Sequence, residues 1–197
     1  MAKYDLVKMQ KKLVKYLDED RFQHTMGVMY SAACLAMAHG YDILDAQAAG
    51  LLHDCAKCIP NKKKIRLCEQ HNIAITEFEK THPFLIHAKL GAYIAEKKYN
   101  ITDREILNAI TWHTTGRPGM SMLEKIIYIA DYIEPMRDKA PNLSRIRPLA
   151  FVDLDECMYE ILRDTLDYLE ENPKEIDDTT REAFEYFDEL HRNRQQK

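Results

Sequence analysis

Apolar residues recur every three to four positions along nearly the whole chain, and no stretch alternates apolar and polar as a half-buried strand does. The period predicts a helix over 5–18, with Leu6, Met9, Leu13 and Leu17 on one face. A longer helix is expected over 21–39, ended by Gly40, and another over 44–56, stopped by Pro60. A lysine-rich helix follows over 61–71. Residues 83–98, PFLIHAKLGAYIAEKK, predict a helix with proline in its first turn. Two more are expected over 103–113 and 121–134, the second closed by Pro135. The segment RDKAPNLSRIRP (137–148) reads as a loop leading to a long helix over 153–171. ENPKEIDDTT breaks that helix, and a last one covers 179–193. No repeat, low-complexity segment or linker divides the chain. The expected fold class is all-α: a single domain over 1–197, with a C-terminal helix in 172–197 lying over the site or the core.

Against this pattern, several ionisable residues occupy core-facing positions. Leu123, Ile127 and Asp131 fall at i, i+4 and i+8, so Asp131 shares a stripe with core residues. His87 shares its face with Leu90, Gly91 and Ile94, and His113 follows Ile106 and Ile110. His24 lies with Gly27 and Val28. His53 and Asp54, in GLLHDCAKCIP, flank the stripe of Leu44, Ala48, Leu51 and Leu52. A lone buried carboxylate is costly and needs a partner. The matching stripes hold too few lysines or arginines to pair both Asp54 and Asp131. Four histidines and two aspartates converge instead, a set that suits a divalent cation such as Fe, Mn, Co, Ni or Zn. Six ligands exceed one tetrahedral site: they could hold two ions bridged by Asp54, or one ion with two histidines left for substrate. His39, His71, His82 and His191 lie in polar surroundings and read as surface residues.

Composition narrows the function classes. A chain of 197 residues can bury a sizeable core without staples, and 6 glycines and 7 prolines are few, which favours helices. The 28 basic and 32 acidic residues give a net charge of -4, so no nucleic-acid partner is expected. NKKKIRL at 61–67 reads as a solvated face. Five cysteines, an odd number, with no secretory start, point to a reduced, cytoplasmic protein. No run of about 18 apolar residues occurs, so no membrane partner is expected. Cys55 and Cys58 form a C-x-x-C pair without a second pair or a preceding strand, and the cysteines read as small apolar packers.

Together, these residues resemble a known family. His24, the HD pair at 53–54 and Asp131 stand in the order of the HD superfamily of metal-dependent phosphohydrolases. GLLHDCAKCIP, HAKLGAYIA, AITWHTTGRPGMSMLEKIIYIADYIEPMR and TTREAFEYF are similar to the bacterial YqeK-type HD proteins over roughly residues 5–190. The resemblance implies an HD-superfamily helical bundle and symmetrical hydrolysis of diadenosine tetraphosphate to two ADP. It implies that His24, His53, Asp54 and Asp131 hold the metal, iron above the alternatives, as one or two ions. His87 and His113 would face the phosphates or complete a second metal site; with Asp54 and Lys57 they form the expected catalytic set. Arg21, Lys57, Thr114 and Arg137 match positions expected to contact nucleotide. Asp131 and the segment Asp178, Thr179 and Thr180 would add substrate contacts. The working expectation for assembly is a homodimer.

Overall fold

The computed structural model describes residues 3–171 and 176–196, and among them it contains eleven helices and no strand. The helices are α1 (Leu6–Leu13), α2 (Glu19–His39), α3 (Ile43–Leu52), α4 (Asn61–Gln70), α5 (Glu77–Thr81), α6 (His87–Tyr99), α7 (Arg104–Trp112), α8 (Met122–Ile133), α9 (Leu143–Ala150), α10 (Leu154–Glu171) and α11 (Asp178–Gln195). Polar caps set most of the starts. Asp18, Asp42, Asp103 and Asp177 each accept a first-turn backbone N–H, and Ser121 forms a reciprocal capping box with Glu124.

The centre of the molecule is α2 packed on α3, with α7 and α8 against them. Small residues make this close: Ala32 and Ala36 of α2, and Ala46, Ala49 and Gly50 of α3, are all buried. A Cβ at Gly50 would stand 3.0 Å from the Met29 Cα, so the two backbones are already at van der Waals contact. Helix α6 lies beside α7, and α10 lies on α8 with α9 and α11 against it. Ala183 and Phe187 of α11 are buried in the main core, and a Cβ at Gly116 would come within 3.3 Å of the Ala183 Cβ. A smaller apolar cluster of Ala56, Cys68, Ile86 and Leu90 joins α4 to α6.

The all-α reading holds, and several boundaries move. α1 stops at Leu13, and α3 ends at Leu52 rather than running to 56, so residues 53–58 form turns. Pro83 is not in the first turn of a helix: residues 83–86 are turns, and α6 opens at His87. The expected loop at 137–148 contains most of α9, whose Leu143, Ile146 and Ala150 are buried. The short α5 was not expected at all. Leu44, assigned to a core stripe, is exposed. The cysteines divide: Cys55, Cys68 and Cys157 are buried packers, whereas Cys34 and Cys58 are exposed. Of the expected break after 171, residues 172–175 lie outside the described residues.

Candidate metal centre

The six expected residues arrive from five helices at one end of the bundle. His24 projects from the second turn of α2. His53 and Asp54 follow the last residue of α3, and His113 follows the last residue of α7. His87 opens α6, and Asp131 lies in the last turn of α8. Three helix C-termini therefore meet here, and their partial negative charge favours a cation.

Each of the four imidazoles has its Nδ1 committed to an oxygen. His53 Nδ1 donates to the Gly50 carbonyl at 2.6 Å, His87 to the Phe84 carbonyl at 2.6 Å and His113 to the Ile110 carbonyl at 2.7 Å. His24 Nδ1 donates to Glu134 Oε1 at 3.1 Å. With the proton on Nδ1, a neutral ring presents a bare lone pair at Nε2. All four lone pairs meet carboxylate oxygens. His24 Nε2 is 3.0 Å from Asp131 Oδ1 and 4.0 Å from Asp54 Oδ2, and His53 Nε2 is 3.5 Å from Asp54 Oδ2. His87 Nε2 and His113 Nε2 stand 3.1 and 3.5 Å from Asp54 Oδ1.

Two acceptors at such separations repel unless positive charge lies beside them. His24 Nε2, His53 Nε2 and Asp54 Oδ1 are buried without a hydrogen-bond partner among the described residues. A divalent cation supplies what these atoms lack. Ligand atoms of His24, His53 and Asp131 lie within 4.8 Å of one another, and so do those of His53, Asp54 and His113. The donor set fits a divalent metal, with room for one ion or an adjacent pair.

The electrostatics differ from ring to ring. Burial pushes His87 down to about 4 despite Asp54, so its ring is neutral near pH 7. Burial also opposes a charge on His53, but Asp54 beside it holds its pKa above the ordinary imidazole value. Asp54 is itself buried; His53, His113 and His87 around it outweigh that burial and hold it well below the usual carboxylate range. Asp131 is held low in the same way, by His24 and His53 and by the Arg137 guanidinium, against its burial.

The shortage of cations inferred from the stripes is corrected here. Arg21 Nη1 pairs with Asp54 Oδ2 at 2.9 Å, and Arg137 Nη2 donates to the Asp131 Oδ1 at 2.8 Å and carbonyl at 2.9 Å. Arg21 comes from the first turn of α2 and Arg137 from the turn beyond α8, so neither lies in the stripe of the carboxylate it serves. Lys57 Nζ is 3.7 Å from Asp54 Oδ1 and 3.2 Å from His87 Nε2, at the half-exposed mouth of the cluster. The Thr114 hydroxyl lies 3.3 and 3.1 Å from the Nε2 atoms of His87 and His113.

Two hollows flank the cluster. An open cleft of about 650 Å³ is lined by Arg21, His24, Glu134, Arg137 and Lys139 among others. A tighter one of about 140 Å³ is lined by Thr114, Trp112, Lys89 and Thr179 among others. Of the C-terminal trio, Thr179 alone lines that hollow; Asp178 is exposed and Thr180 is buried in the first turn of α11. Cys55 and Cys58 point apart, one thiol toward the Gly91 carbonyl and the other toward Asp18. The sequence reading missed Glu134, which is buried one turn beyond Asp131 against His24. The signal was its i+3 spacing from Asp131, just before Pro135.

A helical bundle with a His/Asp cluster at one end defines a class, and residues 21–136, which include all six residues, match the family model of the HD domain. The chain belongs to the HD-domain family, and within it to the YqeK type. It is 39% identical to a Bacillus subtilis protein named bis(5'-nucleosyl)-tetraphosphatase, symmetrical, over 78% of this chain and 81% of that one. A Halalkalibacterium halodurans protein of the same name is 40% identical over 80% of this chain and 83% of its own. Among solved structures, a Clostridium acetobutylicum protein described as a "predicted HD superfamily hydrolase involved in NAD metabolism" superposes with a TM-score of 0.91. It is 36% identical and covers 95% of this chain and 98% of its own. No helix among the described residues is long and apolar enough to cross a membrane.

Proposed function

We propose that this protein is a metal-dependent phosphohydrolase that cleaves diadenosine tetraphosphate and related dinucleoside polyphosphates symmetrically, giving two ADP. The relatives named for that reaction, similar over most of both chains, support the substrate class. The observation that carries the metal chemistry is the cluster itself: four imidazoles with Nδ1 engaged and Nε2 turned on two carboxylates. In this reading His24, His53, Asp54 and Asp131 hold the cation, with iron the expected metal. A bound divalent cation would draw charge from the phosphate oxygens and lower the pKa of water toward neutrality.

The remaining residues position the substrate. Lys57 meets a phosphate oxygen as a compact point charge. Arg21 and Arg137 offer forked donors to the polyphosphate along the open cleft. The Thr114 hydroxyl donates to a phosphate oxygen, and Thr179 lines the hollow on that side. His87 and His113 accept a hydrogen bond from the attacking water at Nε2 and so orient it. Water adds to one of the two inner phosphorus atoms in line with the central bridging oxygen. The bond from that phosphorus to the bridge breaks, and two diphosphate-ended nucleotides leave.

Product chromatography tests this. Protein loaded with ferrous iron and given diadenosine tetraphosphate is expected to release ADP as its sole adenylate product. Equal amounts of AMP and ATP would overturn the symmetrical reading.

A further inference from the structure

Three of the four clustered imidazoles are oriented by a backbone carbonyl three residues earlier in the chain. His53 and His113 can do this because they sit at helix C-termini, where carbonyls are free, and His87 because Phe84 lies in a turn. His24 is inside α2, where the carbonyls behind it are engaged in the helix. Its ring must look across to another element, and it meets Glu134.

Glu134 is built into that place. Its side chain is only 2% exposed. Oε1 receives the His24 Nδ1 proton at 3.1 Å, and Oε2 receives the Met136 N–H at 2.6 Å. Among the described residues, two donors and no hydrogen-bonded acceptor meet the group, which suits a carboxylate and not an amide. Its backbone is held as well: Glu134 N donates to the Ala130 carbonyl at 3.0 Å, and its own carbonyl accepts from Arg147 at 3.1 Å. On the other side, Gly27 makes the room. A Cβ there would stand 2.6 Å from Glu134 Oε2.

We propose that Glu134 is the positioning residue of His24: it fixes the ring with Nε2 toward the cation and, as an anion, strengthens that nitrogen as a donor. Carboxylates that act on metal-bound imidazoles in this way are worth about 10–100-fold in metal affinity. The inference rests on the reading that the cluster holds a divalent cation, and adds a residue to it.

The test is titration of metal-free protein with Co²⁺, followed by visible absorption, with circular dichroism confirming the fold of each variant. Glu134→Gln is expected to weaken Co²⁺ binding by about 10–100-fold. Gly27→Ala, which keeps every ionisable group and displaces Glu134, is expected to weaken it in the same direction. In a His24→Ala background, either change should alter the affinity by less than about twofold, because the two residues act as one unit. A role in folding alone would leave Co²⁺ affinity per folded molecule unchanged, or reduce it equally in both backgrounds, and either result would overturn the proposal. Should Glu134→Gln fail to fold, the Gly27→Ala pair of measurements decides alone. Wild type that takes up no Co²⁺ overturns this proposal together with the metal reading; wild type that binds Co²⁺ but forms no ADP counts against the reaction and not against Glu134.

Discussion

One carboxylate, Asp54, lies within 4.0 Å of imidazole nitrogens from four different elements while Arg21 holds its other side. Asp54→Asn keeps its shape and removes the charge. The variant is expected to lose bound metal, read by elemental analysis, and to lose at least about 10³-fold in kcat/KM, about 4 kcal/mol of transition-state stabilisation. On the proposed function, Lys57→Ala should keep its metal and lower kcat/KM by about 10–100-fold, since it would remove a phosphate contact and no ligand. The thiols give an independent check on burial. Desolvation raises Cys55 and Cys157 to about 12 and Cys68 to about 11, so these three stay protonated well above neutral pH. Because the thiolate is the reactive form and must be reached, iodoacetamide at pH 8 should label the exposed Cys34 and Cys58 before any of them, as peptide mass spectrometry would show. The convergence of these histidines and aspartates was legible in the sequence because such residues in a core stripe conflict with burial. Glu134 was harder to read: its i+3 spacing from Asp131 puts it on the same face, but its partner, His24, lies on another helix.

At the scale of elements, most helices were readable, and α5 and α9 were not. α2, α7, α8 and α11 follow their periodicity and caps within a few residues. α9 was hidden by Pro141 and Pro148, although Leu143, Ile146 and Ala150 keep helical spacing; Pro148 stands inside the helix, where a proline reads as a breaker. α5 carries a capping box at Thr76 and Glu79 that a reading centred on apolar periodicity passed over. The early end of α3 matters for function, since turning the chain at His53 frees the Gly50 carbonyl to orient that ring. Gly50 also sets the closeness of α2 and α3. Gly50→Ala would place a methyl 3.0 Å from the Met29 Cα, and is expected to cost about 1–3 kcal/mol. At about 2–4 °C per kcal/mol for a chain of this size, the melting temperature should drop by several degrees in a thermal scan. An unchanged melting temperature would show that the helices have slack there.

At the scale of the whole molecule, the cluster ties α2, α3, α6, α7 and α8 together at one end of the bundle. A divalent cation held there would add to the fold's stability by mass action: at 100 times its Kd a ligand adds about 2.7 kcal/mol. Chelation is therefore expected to lower the melting temperature by about 5–10 °C. The all-α architecture followed from the sequence because a 3.6-residue period persists through the chain, whereas the meeting of five helices at one point depends on crossings that no local pattern specifies. The proposed chemistry requires imidazoles and carboxylates from separate helices to share a cation. The most direct measurement is an anomalous difference map from a crystal loaded with Mn²⁺. It should show a strong peak bonded to His24, His53, Asp54 and Asp131; a map with no peak there, and those side chains satisfied by protein partners alone, would contradict it.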